Sequence, residues 1–328
     1  CSPARASTPA AAIRPCSMRP SMGEARAGLR IALAVDGFDW HARELTRALA
    51  GLGVRVGAFR LSAALFDTRA KFGLRIRGFG ADLPDGVIVR GISGGTFQAV
   101  TMRLGVLHAL RELGVPVWND ARAIERCVDK STTSFLLAKA GIPTPATWCV
   151  ESLEAARALA RRELANGPLV LKPLFGSQGR GLLLIAKTED LPPPETVAGV
   201  YYLQRFVGVE RDGFRDMRLF ALKGRVIAAM VRHSDSWITN VKQGGRPLAA
   251  VADGEVKALA LAAAEAVGAD LAGVDVVRDA HGRPFVLEVN SMPAWRGLQR
   301  VTSVNIAAVI ARDLVGSLGA RAAREVAI

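Results

Sequence analysis

In the first third of the chain, short apolar runs alternate with longer segments that have a helical period. The apolar runs predict buried strands at 29–35, 54–59, 86–90 and 115–119. Between them, one helix should begin after Asp39 as its cap and end near Leu49. A second helix is predicted over 101–113, with an inner face of Met102, Val106, Leu110 and Leu113. Strand–helix–strand order implies parallel pairing, so residues 29–120 are predicted to form a parallel α/β domain.

The pattern changes in the second half of the chain, where paired strands replace the alternation. A helical segment over 121–140, an extended link at 142–147 and a helix at about 152–164 come first. Strand hairpins are then predicted at 168–174 with 181–186, 201–207, and 215–222 with 225–232, the last closed by Lys223-Gly224. A helix over 254–267 lies between Asp253 and Gly268, and strands at 273–278 and 284–290 precede a C-terminal helix from about 304. This half should be mostly antiparallel.

Composition narrows the class of protein. Half of the 328 residues are hydrophobic and 22% are charged, which supports a sizeable core. No stretch of 18 uncharged apolar residues exists, so a membrane span is not expected. Residues 1–28 are rich in Ala, Pro, Ser and Arg and are predicted to be disordered, as a targeting segment or an over-extended reading frame.

The charge and the cysteines bear on partners and compartment. The net charge of +13 reflects either codon composition or attraction to anionic partners such as nucleotides and carboxylates. No motif supports nucleic-acid binding. Four cysteines and four scattered histidines form no zinc pattern, and a reducing cytoplasm is the expected location.

A glycine-rich segment between two apolar strands is the first candidate for chemistry. Gly176, Gly179 and Gly181 lie within six residues, and such loops let backbone N–H groups close on a phosphate. A flexible hairpin is the alternative. Lys172 argues against it, because an unpaired ammonium group in an apolar strand is costly and a phosphate would be a suitable partner.

The second candidate is a pair of carboxylates near the C-terminal end. If His281-Gly282 is a two-residue turn, Asp275 lies opposite Glu288, and Asn290 follows on the same face. An all-oxygen set of this kind suits Mg²⁺. The alternative is a solvated outer face, with Val274, Val276, Leu287 and Val289 packed inward.

Three further signals are weak when taken singly. Asp216 and Arg218 share one strand face, which is commonly plain surface. The segment 237–245 is a polar loop that contains Asn240 and Lys242, and Lys130 stands near the start of a helix.

Taken together and in order, these motifs resemble the ATP-grasp superfamily, and within it the RimK-like glutamate ligases. The likeness covers residues 29–316 and includes D-K-S-T-T, L-K-P-L-F-G-S-Q-G-R-G, Q-R-F-V, D-M-R-L-F, T-N-V-K-Q-G-G, G-V-D-V-V and L-E-V-N. The resemblance implies an α/β and α+β protein of ATP-grasp fold, in which two α+β lobes clamp ATP after the N-terminal domain. The lobes would be 121–207 and 208–316, with a C-terminal tail over 317–328.

The resemblance also implies residue roles. Lys130 and Lys172 would contact ATP phosphates under a loop containing Gly176, Ser177, Gln178, Gly179 and Gly181. The backbone of Gln204, Arg205, Phe206 and Val207 would read adenine, Asp216 would meet the ribose, and Ile238, Thr239 and Asn240 would complete the ATP site. Asp275, Glu288 and Asn290 would bind Mg²⁺, with Mn²⁺ able to replace it. Arg218 and Asn240 would be catalytic, holding the γ-phosphate and an acyl phosphate.

The expected reaction follows from the family. A carboxylate attacks the γ-phosphate of ATP, and the amine of L-glutamate then displaces phosphate. The stretch 89–119 looks most like the glutamate ligases of tetrahydromethanopterin and deazaflavin coenzymes, which implies an acidic small-molecule acceptor. Arg90, Arg103 and Arg296 are candidates for binding acidic substrate groups.

Two alternatives remain open at the level of sequence. One is a ligase that modifies a protein carboxyl terminus or an amino-acid precursor. The other is a non-catalytic nucleotide- or nucleic-acid-binding protein. Assembly into a homo-oligomer is also open. The sequence departs from the family pattern at Arg205, where an acid is common, and in S-M-P-A-W-R after Asn290.

Overall fold

The structure is a computed structural model that describes residues 28–176, 178–209 and 212–325, with side chains described as far as residue 320. The predicted disorder of residues 1–27 lies outside the described residues, as does the predicted phosphate contact of Ser177. Short 3₁₀ turns occur at Leu61–Ala63, Leu164–Asn166, Thr188–Asp190, Pro194–Val197 and Val241–Gln243. No helix within the described residues is long and apolar enough to cross a membrane.

The N-terminal domain contains the predicted parallel sheet, with strand order β2–β1–β5–β6. Its strands are β1 (Arg30–Ala34), β2 (Arg55–Phe59), β5 (Gly86–Val89) and β6 (Val117–Trp118), and a hairpin of β3 (Leu65–Phe66) and β4 (Leu74–Arg75) lies beside it. Helices α1 (Trp40–Ala50) and α2 (Phe97–Glu112) belong to the same domain. As predicted, Asp39 caps α1, because its carboxylate accepts a hydrogen bond from the Ala42 N–H at 2.9 Å.

The predicted inner face of the second helix is partly wrong. Helix α2 begins at Phe97 after a Thr96 cap, and its buried residues are Val106, Leu107 and Leu110. Met102 is 40% exposed and Leu113 is 38% exposed. No residue of α2 before Val106 is buried, so only its second half lies against the sheet.

The single helix predicted over 121–140 is in fact two. Helix α3 (Ala121–Val128) ends at Asp129, and α4 (Lys130–Lys139) begins directly after it. Asp129 breaks the helix because its backbone is extended, at φ −82° and ψ 103°, while its carboxylate accepts from the N–H groups of Ser131 and Thr132. This break places Lys130 at the first position of α4.

The central lobe is an antiparallel sheet of order β7–β10–β8–β9 with its own apolar core. Its elements are β7 (Thr147–Val150), α5 (Leu153–Glu163), β8 (Leu169–Lys172), β9 (Leu183–Ile185) and β10 (Tyr201–Arg205). The predicted hairpin around the glycine-rich segment is confirmed, since β8 pairs directly with β9.

The C-terminal lobe is a five-stranded antiparallel sheet of order β13–β12–β11–β14–β15, covered on one side by α6 (Gly254–Val267). The strands are β11 (Phe214–Leu222), β12 (Arg225–Ser234), β13 (Arg246–Ala249), β14 (Leu271–Arg278) and β15 (Pro284–Asn290). Lys223 and Gly224 form the predicted tight turn, with φ of +46° and +72°.

The turn between β14 and β15 differs from the prediction, yet the predicted register at the carboxylates holds. A five-residue loop, 279–283, replaces the His281-Gly282 turn and is closed by the Asp279 N–H to the Arg283 carbonyl at 3.0 Å. Near this loop Val276 pairs with Val286, but a bulge then inserts Leu287 and brings Asp275 opposite Glu288. Because of the bulge, Leu287 lines the cleft described below and is not packed inward as the alternative interpretation required.

The last two helices tie the ends of the fold together. They are α7 (Arg296–Gln299) and α8 (Ile306–Glu325), and α8 packs against α1. The helix continues past the predicted boundary at 316, since Leu318 is also buried in the shared core. That core joins Ile31 of the parallel sheet, Leu314 of α8 and Phe220 of the C-terminal sheet.

Candidate active site

A cleft of about 780 Å³ lies between the sheets of the central and C-terminal lobes. It brings together most of the residues predicted to bind ATP or the metal, although they are up to 158 positions apart in sequence. The predicted residues that line the cleft are Lys130, Lys172, Gly176, Gln178, Gly179, Gln204, Arg205, Phe206, Val207, Asp216, Ile238, Thr239, Asn240, Asp275 and Glu288. Arg218 and Asn290 line an adjoining chamber, and Gly181 lines neither.

Lys172 ends β8 and is buried at the floor of the cleft, 8% exposed. Its Nζ donates to Oε1 of Gln204 at 2.6 Å, and Gln204 is itself held by the hydroxyls of Thr147 and Tyr202. Burial lowers the pKa of Lys172 to about 8, although the negative charge of Glu288 acts in the opposite direction. A phosphate in the cleft would therefore stabilise the charged form of this lysine.

Lys130 holds the start of the glycine-rich loop through hydrogen bonds to its backbone. Its Nζ donates to the carbonyl oxygens of Leu174 at 3.3 Å and Gly176 at 2.9 Å. Burial lowers the pKa of Lys130, partly offset by the carboxylates of Glu288 and Asp129. This lysine thus fixes the start of the loop at the edge of the cleft.

The glycine-rich loop lies against the segment 238–245, which looked like an ordinary loop in sequence. Gly179 has φ +72°, and a Cβ there would lie 2.6 Å from Oδ1 of Asn240. Gln243 donates from its side-chain amide to the Gln178 carbonyl at 3.5 Å. Only glycine allows this close approach, so the two segments form one cover over the cleft.

The segment 204–207 lines the cleft, while the Arg205 side chain is bound at the end of α5. Arg205 donates to the Gly167 carbonyl at 2.5 Å and to the Glu163 carboxylate at 3.1 Å, at the end of α5. Phe206 packs edge-on against Trp237, with ring centroids 6.0 Å apart. Trp237, which the sequence did not single out, contributes an aromatic wall.

Two arginines and two aspartates alternate across the floor of the C-terminal sheet. Arg218 makes a two-pronged contact with Asp275, at 2.7 Å from Nε and 2.6 Å from Nη2. Arg232 makes the same kind of contact with Asp216, in which Nε lies 2.7 Å from Oδ1 and Nη2 contacts Oδ2. Nη2 of Arg232 also lies 3.0 Å from Oδ2 of Asp275. Both oxygens of Asp216, for which the resemblance implies a ribose contact, therefore accept from Arg232.

Arg232 is the charged residue that the sequence reasoning missed. A tight turn at Lys223-Gly224 would pair Asp216 with Val231, but a bulge at Ile227 shifts the register and puts Arg232 opposite. The available signal was an arginine that follows six apolar residues of the strand, at a position where burial requires a charged partner.

Burial and ion pairing act in opposite directions on the pKa of Asp275 and on that of Arg232. Burial alone would raise the pKa of Asp275, but the guanidinium groups of Arg218 and Arg232 outweigh it and hold that pKa below its usual value. Burial acts to lower the pKa of Arg232, and the two aspartates raise it overall. Glu288 lies opposite Asp275 and adds a further carboxylate beside these ion pairs.

The oxygen atoms around Glu288 fit a divalent cation. The Glu288 carboxylate accepts no hydrogen bond from any described residue, and Asn290 uses only its Nδ2, toward the Gly273 carbonyl at 3.4 Å. Oδ1 of Asp275 accepts one bond and keeps a lone pair. Within the described chain no three His, Cys, Asp or Glu side chains cluster as a metal site, so a third oxygen ligand beside Asp275 and Glu288 would have to come from a group such as the amide of Asn290.

Two chambers open from the cleft at Glu288, which lines both. The Arg90 chamber is lined by Arg90, Asp36, Cys127, Tyr202 and Ser291 among others. The Arg296 chamber is lined by Arg296, Arg300, Lys242, Arg218, Asn290 and His41 among others. Two of the three predicted substrate arginines thus border chambers next to the carboxylates.

The third predicted substrate arginine, Arg103, binds backbone carbonyls outside both chambers. Arg103 donates to the carbonyls of Ser93 at 2.5 Å and Gly94 at 2.9 Å, and it lines neither chamber.

Arg90 donates to the Pro293 carbonyl at 2.8 Å and stacks 4.6 Å above the Trp295 ring. Its buried Nε and Nη1 have no acceptor in the described residues, and burial lowers the pKa of Arg90 to about 10.

Comparisons with known proteins agree with this geometry. A family model described as a RimK-like ATP-grasp domain matches residues 127–314. A tetrahydromethanopterin:alpha-L-glutamate ligase of Methanococcus maripaludis is 40% identical over 199 residues, 59% of this chain and 67% of that protein. The enzyme of that name from Methanosarcina acetivorans is 32% identical over 259 residues, 69% of this chain and 78% of that protein.

Solved structures extend the likeness of fold to nearly the whole chain. The ATP-grasp ligase PsnB, complexed with a precursor peptide and AMPPNP, superposes with a TM-score of 0.66 at 21% identity. The match covers 90% of this chain and 98% of that one. At this identity the likeness concerns the fold alone.

Proposed function

The chain belongs to the RimK-like ATP-grasp family and is an ATP-dependent carboxylate–amine ligase, and we propose that it joins L-glutamate to an acidic acceptor through an acyl phosphate. The observation that carries this proposal is the meeting of the buried Lys172, the half-buried Lys130, a glycine-rich cover and the carboxylate oxygens of Glu288 in one cleft. The relatives named as glutamate ligases support L-glutamate as the amine.

In the proposed reaction the chain acts by holding charges in place. Lys172 and Lys130 bind the phosphates of ATP, the glycine-rich loop covers them, and the backbone of 204–207 contacts adenine. Mg²⁺ held by Asp275, Glu288 and Asn290 would neutralise phosphate charge. Arg218, fixed by Asp275, and Asn240, fixed beneath Gly179, stabilise the transferring phosphoryl group and the acyl phosphate.

No enzyme nucleophile enters this scheme. The acceptor carboxylate attacks the γ-phosphate and ADP leaves, and the neutral amine of glutamate then attacks the acyl carbon and phosphate leaves. Positioning and charge neutralisation therefore account for the rate enhancement.

For the acceptor we propose a reduced pterin coenzyme of the tetrahydromethanopterin type with an acidic tail. The relatives that carry this name support it, as does the basic lining of the Arg296 chamber. Two anions must lie side by side in one cleft, and fixed arginines lower the cost of bringing them together.

The test is mass spectrometry of tetrahydromethanopterin incubated with the protein, L-glutamate, ATP and Mg²⁺. A mass increase of one or more glutamyl residues, together with glutamate-dependent ADP release, is expected. Glutamylation of a peptide carboxyl terminus without any pterin product would instead favour a ligase that modifies proteins.

A further inference from the structure

Among the described residues, three basic side chains at the edge of the Arg296 chamber have no acidic partner. Arg296, Arg300 and Lys242 all line this chamber. None of the three side chains makes an ion pair or a hydrogen bond with the residues that the structure describes. We call these three residues the basic rim.

The basic rim concentrates like charges on one side of the chamber. Arg296 begins α7 and Arg300 follows its end, so they are four residues apart and share one helical face. Like charges at this spacing repel each other. Lys242 belongs to the 3₁₀ turn against which α7 packs, since a Cβ at Gly297 would lie 3.4 Å from the Val241 side chain. An anion in the chamber would relieve the repulsion.

The N-terminal domain holds the segment that carries Arg296. Trp295 is fully buried, and its backbone N–H donates to Nε2 of His41 at 3.1 Å. Nδ1 of His41 is in turn 2.8 Å from the Asp39 carboxylate, and Arg90 holds the Pro293 carbonyl at 2.8 Å. The backbone next to Arg296 is therefore fixed before any ligand arrives, which lowers the entropy lost on binding.

The basic rim also lies on the path to the reacting groups. Arg218, Glu288 and Asn290 line the same chamber and are less exposed than the three residues of the basic rim. A ligand whose carboxylate reaches Arg218 would thus extend outward over the three unpaired cations.

We propose that the basic rim binds the anionic tail of the acceptor. This inference rests on the proposed function and deepens it. It assigns as acceptor a molecule that carries, beyond the carboxylate that reacts, at least one further carboxylate or phosphate group. An acceptor with a single carboxylate lacks the groups that Arg296, Arg300 and Lys242 recognise.

The experiment compares the full chain with the double variant Arg296→Gln/Arg300→Gln. A matched control is Arg157→Gln/Arg161→Gln on α5, which removes two exposed arginines at the same spacing, far along the chain from the chamber. KM for tetrahydromethanopterin, ATP and glutamate is measured for each protein. Exposed ion pairs contribute up to about fivefold in affinity each, so we expect KM for the acceptor to rise several-fold in the double variant, up to about 25-fold. The kcat and the other two KM values should stay within about twofold.

Altered acceptors identify the groups that are recognised. Masking the non-reacting carboxylates as methyl esters, or removing a tail phosphate, should weaken binding to the wild type and cost the double variant nothing further. Raising the ionic strength should raise KM for the acceptor more steeply in the wild type than in the variant.

The outcomes separate the two proposals. An unchanged acceptor KM in the double variant, or equal effects in the control pair, would overturn the inference alone. Equal use of masked and intact acceptors by the wild type would do the same. Absence of product from the wild type with every acceptor would overturn the proposed function, and the inference with it.

Discussion

At the scale of single residues, Glu288 has a central position in the candidate active site, because it lines the cleft and both chambers. Replacing it with glutamine keeps its shape but removes the charge that a divalent cation needs. We expect Glu288→Gln to lower kcat by at least about 100-fold, to raise the Mg²⁺ concentration for half-maximal activity, and to leave the melting temperature within a few degrees. Glu265→Gln, at an exposed position on α6, is the control. Wild-type turnover with the same Mg²⁺ dependence in Glu288→Gln would exclude Glu288 as a ligand.

Lys172 gives a second residue-scale prediction, which concerns protons. Its pKa of about 8 in the free protein means that the side chain is partly neutral at pH 8.5. Bound triphosphate favours the charged form, so ATP binding should take up a proton at that pH, and affinity should fall as the pH rises above about 8. Calorimetry in buffers of different ionisation enthalpy measures this uptake. Lys172→Met should abolish it and weaken ATP binding by about 1.5 kcal/mol or more. Proton uptake of wild-type size in Lys172→Met would assign it to another group.

At the scale of elements, the glycine-rich loop combines a left-handed backbone with a close neighbour. Gly179→Ala forces its Cβ to 2.6 Å from Asn240 Oδ1, so the loop must move away from the cleft. We expect kcat/KM for ATP to fall about tenfold or more. Gly199→Ala is the matched control, since Gly199 has φ +78° but no atom within 4 Å of its Cβ position. It should lose about 1 kcal/mol of stability through backbone strain and keep its activity. Equal losses of activity in both variants would point to backbone strain and not to the contact.

Most strand and helix positions could be predicted from the sequence, whereas one helix break and one strand register could not. These positions follow from the spacing of apolar residues and from helix caps such as Asp39 and Asp253. Both signals are local in the sequence, so they can be recognised without the structure. The break at Asp129 was missed, since a cap residue between two helices leaves the apolar period almost unchanged. The charge pairing of Arg232 was missed for a different reason. It depends on a bulge at Ile227, which the sequence of the hairpin does not mark.

At the scale of the whole molecule, α8 couples the N-terminal domain to the C-terminal sheet through one core, while the central lobe has a core of its own. Leu314→Ala removes a fully buried side chain of α8 and should cost about 2–5 kcal/mol. Hydrogen exchange should then accelerate in β1 and β11 together, with little change in β8. Leu203→Ala in the central core should show the reverse pattern. Uniform acceleration in both variants would mean that the three parts unfold as one unit.

The bulge at Leu287 has a consequence for how this hairpin can be re-engineered. The extra residue lies between the loop 279–283 and the pair of Asp275 and Glu288, and it has no partner of its own in the ladder. In a regular hairpin a one-residue slip turns every following side chain to the opposite face. Here a deletion of Leu287 would leave Val276 opposite Val286 and Asp275 opposite Glu288, so it would remove an apolar side chain from the cleft wall without separating the two carboxylates. A foreign loop of five residues at 279–283 would also keep that pairing. The tip of the hairpin and its bulge can therefore each be re-engineered while the carboxylate pair stays in register.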